Sequence, residues 1–394
     1  MSCNQSQHIV SILSYIAIGL GVVKFNDARL AWAIKPDIPR IQAGAERGSE
    51  REEIELGAAY FVGRGVERDE KRAAYWYEKA ANSGDPGAQR QIGYFYQVGI
   101  GVERDPARAV QWYERAIAGG LVSAKVNLGV AYVWGTGVRK DDTMAAQLFR
   151  EAAEKGSGAG ACYLGDMHYF GEGFPKDAAE ARHWYEIGSR LHDSRAEFNL
   201  ALILSGEQTR ASHERAAKLL RESAKAGFVS ARHQLGLFIV RNPDLANSPG
   251  EGIALLEQAA SEGVWKSSIV LGILARDGNG VPKDAKVAYY RFRVASLQGG
   301  AEAVKLLAND VRILSAQLGG AQIERLDGDA AAWFQNHHVA LEFVYEHGED
   351  RTQFPAFALK LPERGKHAGL LIASPPMSGK GEAEHTSALE SVPD

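Results

Sequence analysis

Leu128-Gly129-Val130-Ala131-Tyr132-Val133-Trp134-Gly135-Thr136-Gly137-Val138 runs into Arg139-Lys140-Asp141 and continues through Ala145, Phe149 and Ala152 to Gly156. Its opening pair returns as Leu56-Gly57, Ile92-Gly93, Leu164-Gly165, Leu200-Ala201, Leu235-Gly236 and Leu271-Gly272. Ordered along the chain, the second positions are separated by steps of 36, 36, 36, 36, 35 and 36 residues. Near-equal steps of this length mark a repeated supersecondary unit, and such a unit buries its apolar faces only by stacking against copies of itself.

Each unit reads as two helices. Ala88, Ile92 and Tyr96 carry the first at helical spacing. Gly99, Gly101 and Val102 form the turn, where glycine tolerates positive φ. Asp105-Pro106 opens the second helix: aspartate accepts from otherwise unpaired amides, and proline at the first position lacks a donor that would be orphaned anyway. Ala109, Trp112, Tyr113 and Ala116 give the packing face, and Gly120 ends the helix. The small slot of Ala109 recurs at Ala73, Ala145, Ala181, Ala216 and Ala288, with Gly252 as the exception. A small residue lets neighbouring helices approach while the adjacent aromatics fill the space between them. The expected fold is all-α: a right-handed superhelical solenoid of about seven 36-residue helix-turn-helix repeats with helical caps.

Ala45 and Gly48 stand 36 residues before Ala81 and Gly84, so residues 37–48 read as a lone second helix capping the start. The solenoid, with this half-repeat, spans 34–300. Capping helices follow over 301–347, at 301–314 and 321–336, with Trp333 and Phe334 closing the stack. From 348 to 394 periodicity is lost, and Pro355, Pro362, Pro375 and Pro376 indicate a disordered tail.

The pattern from Leu128 to Gly156 resembles the Sel-one-like repeat, a relative of the tetratricopeptide repeat, and the resemblance covers residues of about 40–300. Two units depart from it between their helices, one keeping only Gly206 and the other reading Arg241-Asn242-Pro243. The resemblance implies adaptor work, in which members hold partner proteins together in signalling, secretion, quality control or export of cell-surface polysaccharide. Some bacterial members with several cysteines were linked to penicillin-like compounds. This chain lacks their cysteine pattern, so that property does not carry over.

Residues 1–33 read as a removable leader or a retained anchor. Ile9–Val23 is an uncharged, mostly apolar run, short for a membrane span but fitting a secretory signal, and Ala31-Trp32-Ala33 offers a cleavage site. An extra buried helix is the remaining alternative. Cys3 precedes the run, which argues against a lipoprotein anchor. Cleavage places the chain in the periplasm or outside the cell; without it, membrane contact runs through residues 9–23 only. The chain carries 45 basic and 49 acidic residues for a net charge of −4, which leaves no footprint for nucleic acid. Two cysteines make neither a disulfide scaffold nor a four-cysteine zinc site.

The Gly-x-Gly turns follow helices, whereas a nucleotide-binding fingerprint follows a strand. Gly156-Ser157-Gly158 is a link between repeats and no nucleophile elbow. No histidine pair has zinc-protease spacing; His337, His338 and His347 read as cap residues. His168 replaces a repeated tyrosine as a core variant, and Cys162 reads as an ordinary thiol. No enzyme motif, metal or cofactor is therefore expected.

Binding is expected on the first helices, which line the concave surface in tetratricopeptide relatives. Positions six and two before the repeated glycine, and one and five after it, fall on one helical stripe. The stripe carries Gln91, Tyr94, Asn127, Trp134, Tyr163, Asp166, Phe170, Arg195 and Asn199. Amides pair with the backbone of an extended peptide or with sugar hydroxyls, and interleaved aromatics supply contact area. The expected partner is another protein, through an extended segment or an envelope complex, with a cell-surface polysaccharide as the alternative. The irregular loops 205–215 and 241–250 are a second candidate contact.

Overall fold

The computed structural model describes residues 36–346, and all regular structure among them is helical. The expected leader, the tail and His347 lie outside the described residues. Two compact units divide the chain after Leu191. The first holds α1 (Ile38–Glu46), α2 (Glu50–Val62), α3 (Glu70–Ser83), α4 (Pro86–Val98), α5 (Pro106–Ala118), α6 (Val122–Trp134), α7 (Asp142–Glu154), α8 (Gly158–Phe170) and α9 (Ala178–Arg190). The second holds α10 (Ser194–Ser205), α11 (Arg210–Lys225), α12 (Val229–Arg241), a 3-10 turn (Pro243–Leu245), α13 (Glu251–Ser261), α14 (Trp265–Asp277), α15 (Ala285–Gln317) and α16 (Gly320–Glu346). Within each unit every helix packs on the next, so the hairpins stack in sequence.

The hairpin follows from three local devices. Asp105 and Asp141 cap α5 and α7, accepting from the amides of Arg108 at 3.0 Å and Met144 at 2.9 Å. In the loop ahead of each cap, the aspartate amide donates back to the first helix: Asp105 to Tyr96 O at 2.8 Å, Asp141 to Tyr132 O at 3.0 Å. Asp69, Asp177 and Asp284 repeat that bond onto Tyr60, His168 and Ala275. The second loop glycine rests on the preceding hairpin. Gly137 has φ 77°, and a Cβ there would lie 2.1 Å from Pro106 O.

The repeated glycine of the first helix serves the core. A Cβ on Gly129 would stand 2.5 Å from the Phe149 ring, so the ring of the second helix lies directly on first-helix backbone. Tyr113 on Gly93, Tyr185 on Gly165 and Phe292 on Gly272 repeat the arrangement. Each such ring, fully buried, stabilises its hairpin by about 2 to 3 kcal/mol. In the fifth repeat Ala201 replaces glycine, with buried Leu220 in the position of the ring; the sixth keeps Gly236, where a Cβ would lie 2.8 Å from Leu256 Cγ.

The helical run of α15 is two helices meeting at Gly300, whose non-helical φ of 58° and ψ of −142° turn the chain between residues 285–299 and 301–317. Helix α16 extends to Glu346, beyond the expected end at 336. No helix of the described residues is long and apolar enough to cross a membrane.

Candidate functional site

In the first unit the stripe on α4, α6 and α8 is a mixture of open and enclosed side chains. Trp134, at the end of α6, is 42% exposed. Gln91 and Phe170 are half-buried, and the Gln91 amide has no hydrogen-bond partner among the described residues. Asn127 is also half-buried and stands near the Tyr113 hydroxyl, which donates to Gln97 Oε1 at 2.6 Å. Tyr94 is buried with its ring edge-on to Phe95, the centroids 6.5 Å apart.

Tyr163 and Asp166 on α8 are buried and turned to internal work. The Tyr163 ring stacks on Phe149 with centroids 4.7 Å apart and planes at 11°. Asp166, 2% exposed, accepts from the Tyr185 hydroxyl at 2.8 Å. Thus the position two before the glycine meets the ring of the preceding hairpin. An amide, Asn127, meets a phenol; an aromatic, Tyr163, meets a phenyl ring. In the second unit Arg195 and Asn199 stand on α10 and are buried.

Sequence reading missed Arg90. It precedes Gln91 on α4, is half-buried, and its Nε is closed off from solvent with no acceptor. Tyr77 of α3 and Tyr113 of α5 lie within its electrostatic reach. Burial pushes both phenols up, so they face Arg90 as neutral hydroxyls. Burial also lowers the Arg90 guanidinium from its ordinary value, against the pull of the two phenols. The clue lay in the slot three before the repeated position, which reads Ile54, Arg90, Val126, Cys162, Phe198, His233 and Ile269. Arg90 is the strong base in an otherwise mostly apolar column.

The second unit brings the two irregular loops together. Gln208, Thr209, Arg210 and His213 from one, with Asn242, Asp244 and Leu245 from the other, line a recess of about 230 Å³. Arg210 there is already engaged by Glu214 at 2.8 Å. A serine–histidine contact also forms, Ser267 Oγ to His233 Nδ1 at 2.7 Å. Ser267 is fully buried, so a substrate carbonyl has no path to its oxygen and the bond serves to join α12 to α14.

Cys162 is buried and forms no disulfide. His168 stacks on Phe174 with centroids 4.3 Å apart, filling the tyrosine slot. His337 stacks on Trp333 at 4.0 Å, while nothing is described of the His338 side chain. Among the described residues no three histidine, cysteine or acidic side chains gather as a metal ion would require.

The Sel1 repeat model matches residues 53–85, 86–121, 122–157, 158–193, 194–228, 230–264 and 269–300. Among solved structures, the chain is similar to a Sel1 repeat protein from Oxalobacter formigenes at 30% identity and TM-score 0.46, covering 54% of this chain and 85% of that one. It is also similar to a protective antigen of uropathogenic Escherichia coli that displays an SLR fold, at 23% identity and TM-score 0.42, covering 79% and 74%. A third similar structure is a putative Sel1 repeat protein from Klebsiella pneumoniae, at 21% identity and TM-score 0.35, covering 50% and 97%. No curated protein matches.

Proposed function

This chain belongs to the Sel1 repeat family, whose repeats generally mediate protein–protein contacts, and from that premise we propose a non-catalytic adaptor that holds an extended segment of another protein against its first helices. The observation that carries the reading is Trp134, a large aromatic left 42% exposed on a stripe whose other named members are half-buried or buried. Open aromatics with adjacent amides are what binding hot spots are made of. The half-buried Gln91 amide and Phe170 extend the same surface within the first unit.

The apolar run Ile9–Val23 ahead of Ala31-Trp32-Ala33 supports a place in the bacterial envelope, as a regulator of a sensor or a scaffold of an export complex. A mature protein beginning at Ile34 would support cleavage and periplasmic residence together; an intact start in the membrane fraction would make residues 9–23 an anchor.

Photo-crosslinking tests the docking surface. A benzophenone amino acid at Trp134 should yield protein adducts in envelope extracts. The same group at Tyr75, 60% exposed on second helix α3, should yield none. Equal labelling at both positions, or none at Trp134, rejects the surface. The interleaved aromatics and amides also suit a polysaccharide. Specific retention on a glycan array without protein adducts would reverse the order of the two readings.

A further inference from the structure

Arg90 carries a charge that the fold leaves unanswered. Partly screened cations of the same unit have acids beside them: Lys79 lies 2.9 Å from Glu53, and Lys125 pairs with Glu151. Arg90 has no carboxylate partner among the described residues, and its Nε is enclosed without an acceptor. The groups that face it are Tyr77 from α3 and Tyr113 from α5. Tyr113 in turn lies near Tyr94 of α4 and Asn127 of α6, and donates to Gln97 Oε1 at 2.6 Å. None of these groups is a carboxylate. A screened cation among neutral dipoles is unfavourable until an anion arrives, so this position costs stability in the free chain.

Building on the docking surface proposed above, we propose that Arg90 receives an aspartate or glutamate side chain of the docked segment, with the Gln91 amide beside it as a second donor. A guanidinium presents parallel N–H groups matched to a carboxylate. A phosphate dianion calls for more than one cation, and the groups facing Arg90 supply no other. The stripe continues on either side of α4, through Glu55 on α2 and Asn127 on α6, so a docked chain passes Arg90 without ending there. That geometry favours an acidic side chain over a chain terminus.

The test uses the full chain and an immobilised library of acetylated, amidated nonapeptides in which each position is varied. The wild type should enrich Asp and Glu over Asn and Gln at one position by about tenfold, the worth of one charge-assisted hydrogen bond. Arg90→Met should lose that enrichment, keep the preferences at neighbouring positions, and melt no lower than the wild type. Arg90→Lys, which keeps the charge but not the fork, should fall between them. Acid preference that survives in Arg90→Met overturns the inference. So does a lowered melting temperature with selection unchanged, which would make Arg90 a structural residue. Peptide selection with no acidic position in the wild type overturns it while leaving the docking surface standing. Preference for free over amidated carboxyl termini moves the anion to a chain end and rejects the side-chain assignment. Failure of the wild type to retain any peptide removes the docking surface and this inference together.

Discussion

Gly129 and Ala201 occupy the same slot in different hairpins and face different side chains. At Gly129 a methyl group would stand 2.5 Å from the Phe149 ring, whereas Ala201 shares its hairpin with Leu220. Gly129→Ala should therefore cost about 1 to 3 kcal/mol through overpacking, although alanine is the better helix former. Ala201→Gly should cost about 1 to 2 kcal/mol through backbone entropy and the loss of a buried methyl group. Replacing Phe149 by leucine in the Gly129→Ala chain should recover part of the loss, and a double-mutant cycle in urea reads that coupling. Additive losses would mean that the ring does not enforce the glycine. His192 shows the opposite mismatch: its φ is 58°, where the turns between other hairpins use Gly120, Gly156 and Gly227. A Cβ meets nothing within 4 Å at Gly120 and Gly156, so at such a turn the penalty is backbone conformation. His192→Gly should raise the urea midpoint, by about 1 kcal/mol in stability; an unchanged or lower midpoint would show the side chain contributing a contact of its own.

Among whole elements, the second helices depend on their first residue. Asp141 accepts from the Met144 amide at 2.9 Å while its own amide closes the loop onto Tyr132 O. Asp141→Ala removes the first bond and leaves the second, so about 1 kcal/mol of stability should be lost. A chemical denaturation curve that does not move would place the stability of α7 in its packing face alone. Such caps made the elements legible in advance, because Asp, Pro and Gly announce helix ends through local backbone chemistry. At Gly300 a single glycine turns the chain between two helices without a longer loop around it. The stripe could be read as a set of positions, yet not as a set of exposures. Whether Asn127 or Tyr163 faces outward is decided by the ring of the preceding hairpin, Tyr113 or Phe149, far away in sequence. Arg90 was passed over for the same reason, since its lack of an acid shows only when the neighbouring helices are in place.

Across the molecule, two groups of the second unit should shape the response of stability to pH, with opposite signs. Glu197 on α10 is pushed up from 4.5 to about 7 by burial, reinforced by Glu222 on α11 and Asp193 at its own cap. The folded chain then holds a proton that the unfolded chain has released, so this contribution is complete below pH 4.5 and disappears as pH rises through 7. His233 on α12 is pushed down from 6.5 to about 4 by burial, with Lys266 on α14 adding to the effect. Here the unfolded chain takes the proton first, so stability is complete above pH 6.5 and is lost as pH falls toward 4. Between pH 4.5 and 6.5 the two slopes oppose one another in the wild type. Single replacements separate them. Glu197→Gln should gain stability over the wild type as pH rises through 7, with little difference near pH 4.5. His233→Asn, whose amide can still meet Ser267, should lose least against the wild type near pH 4 and most above pH 6.5. The His233 effect has a ceiling of about 3 kcal/mol, since each pKa unit is worth about 1.4 kcal/mol. Urea midpoints for the three chains between pH 4 and 8 decide it: difference curves that stay level with pH would mean neither group changes its proton affinity on folding.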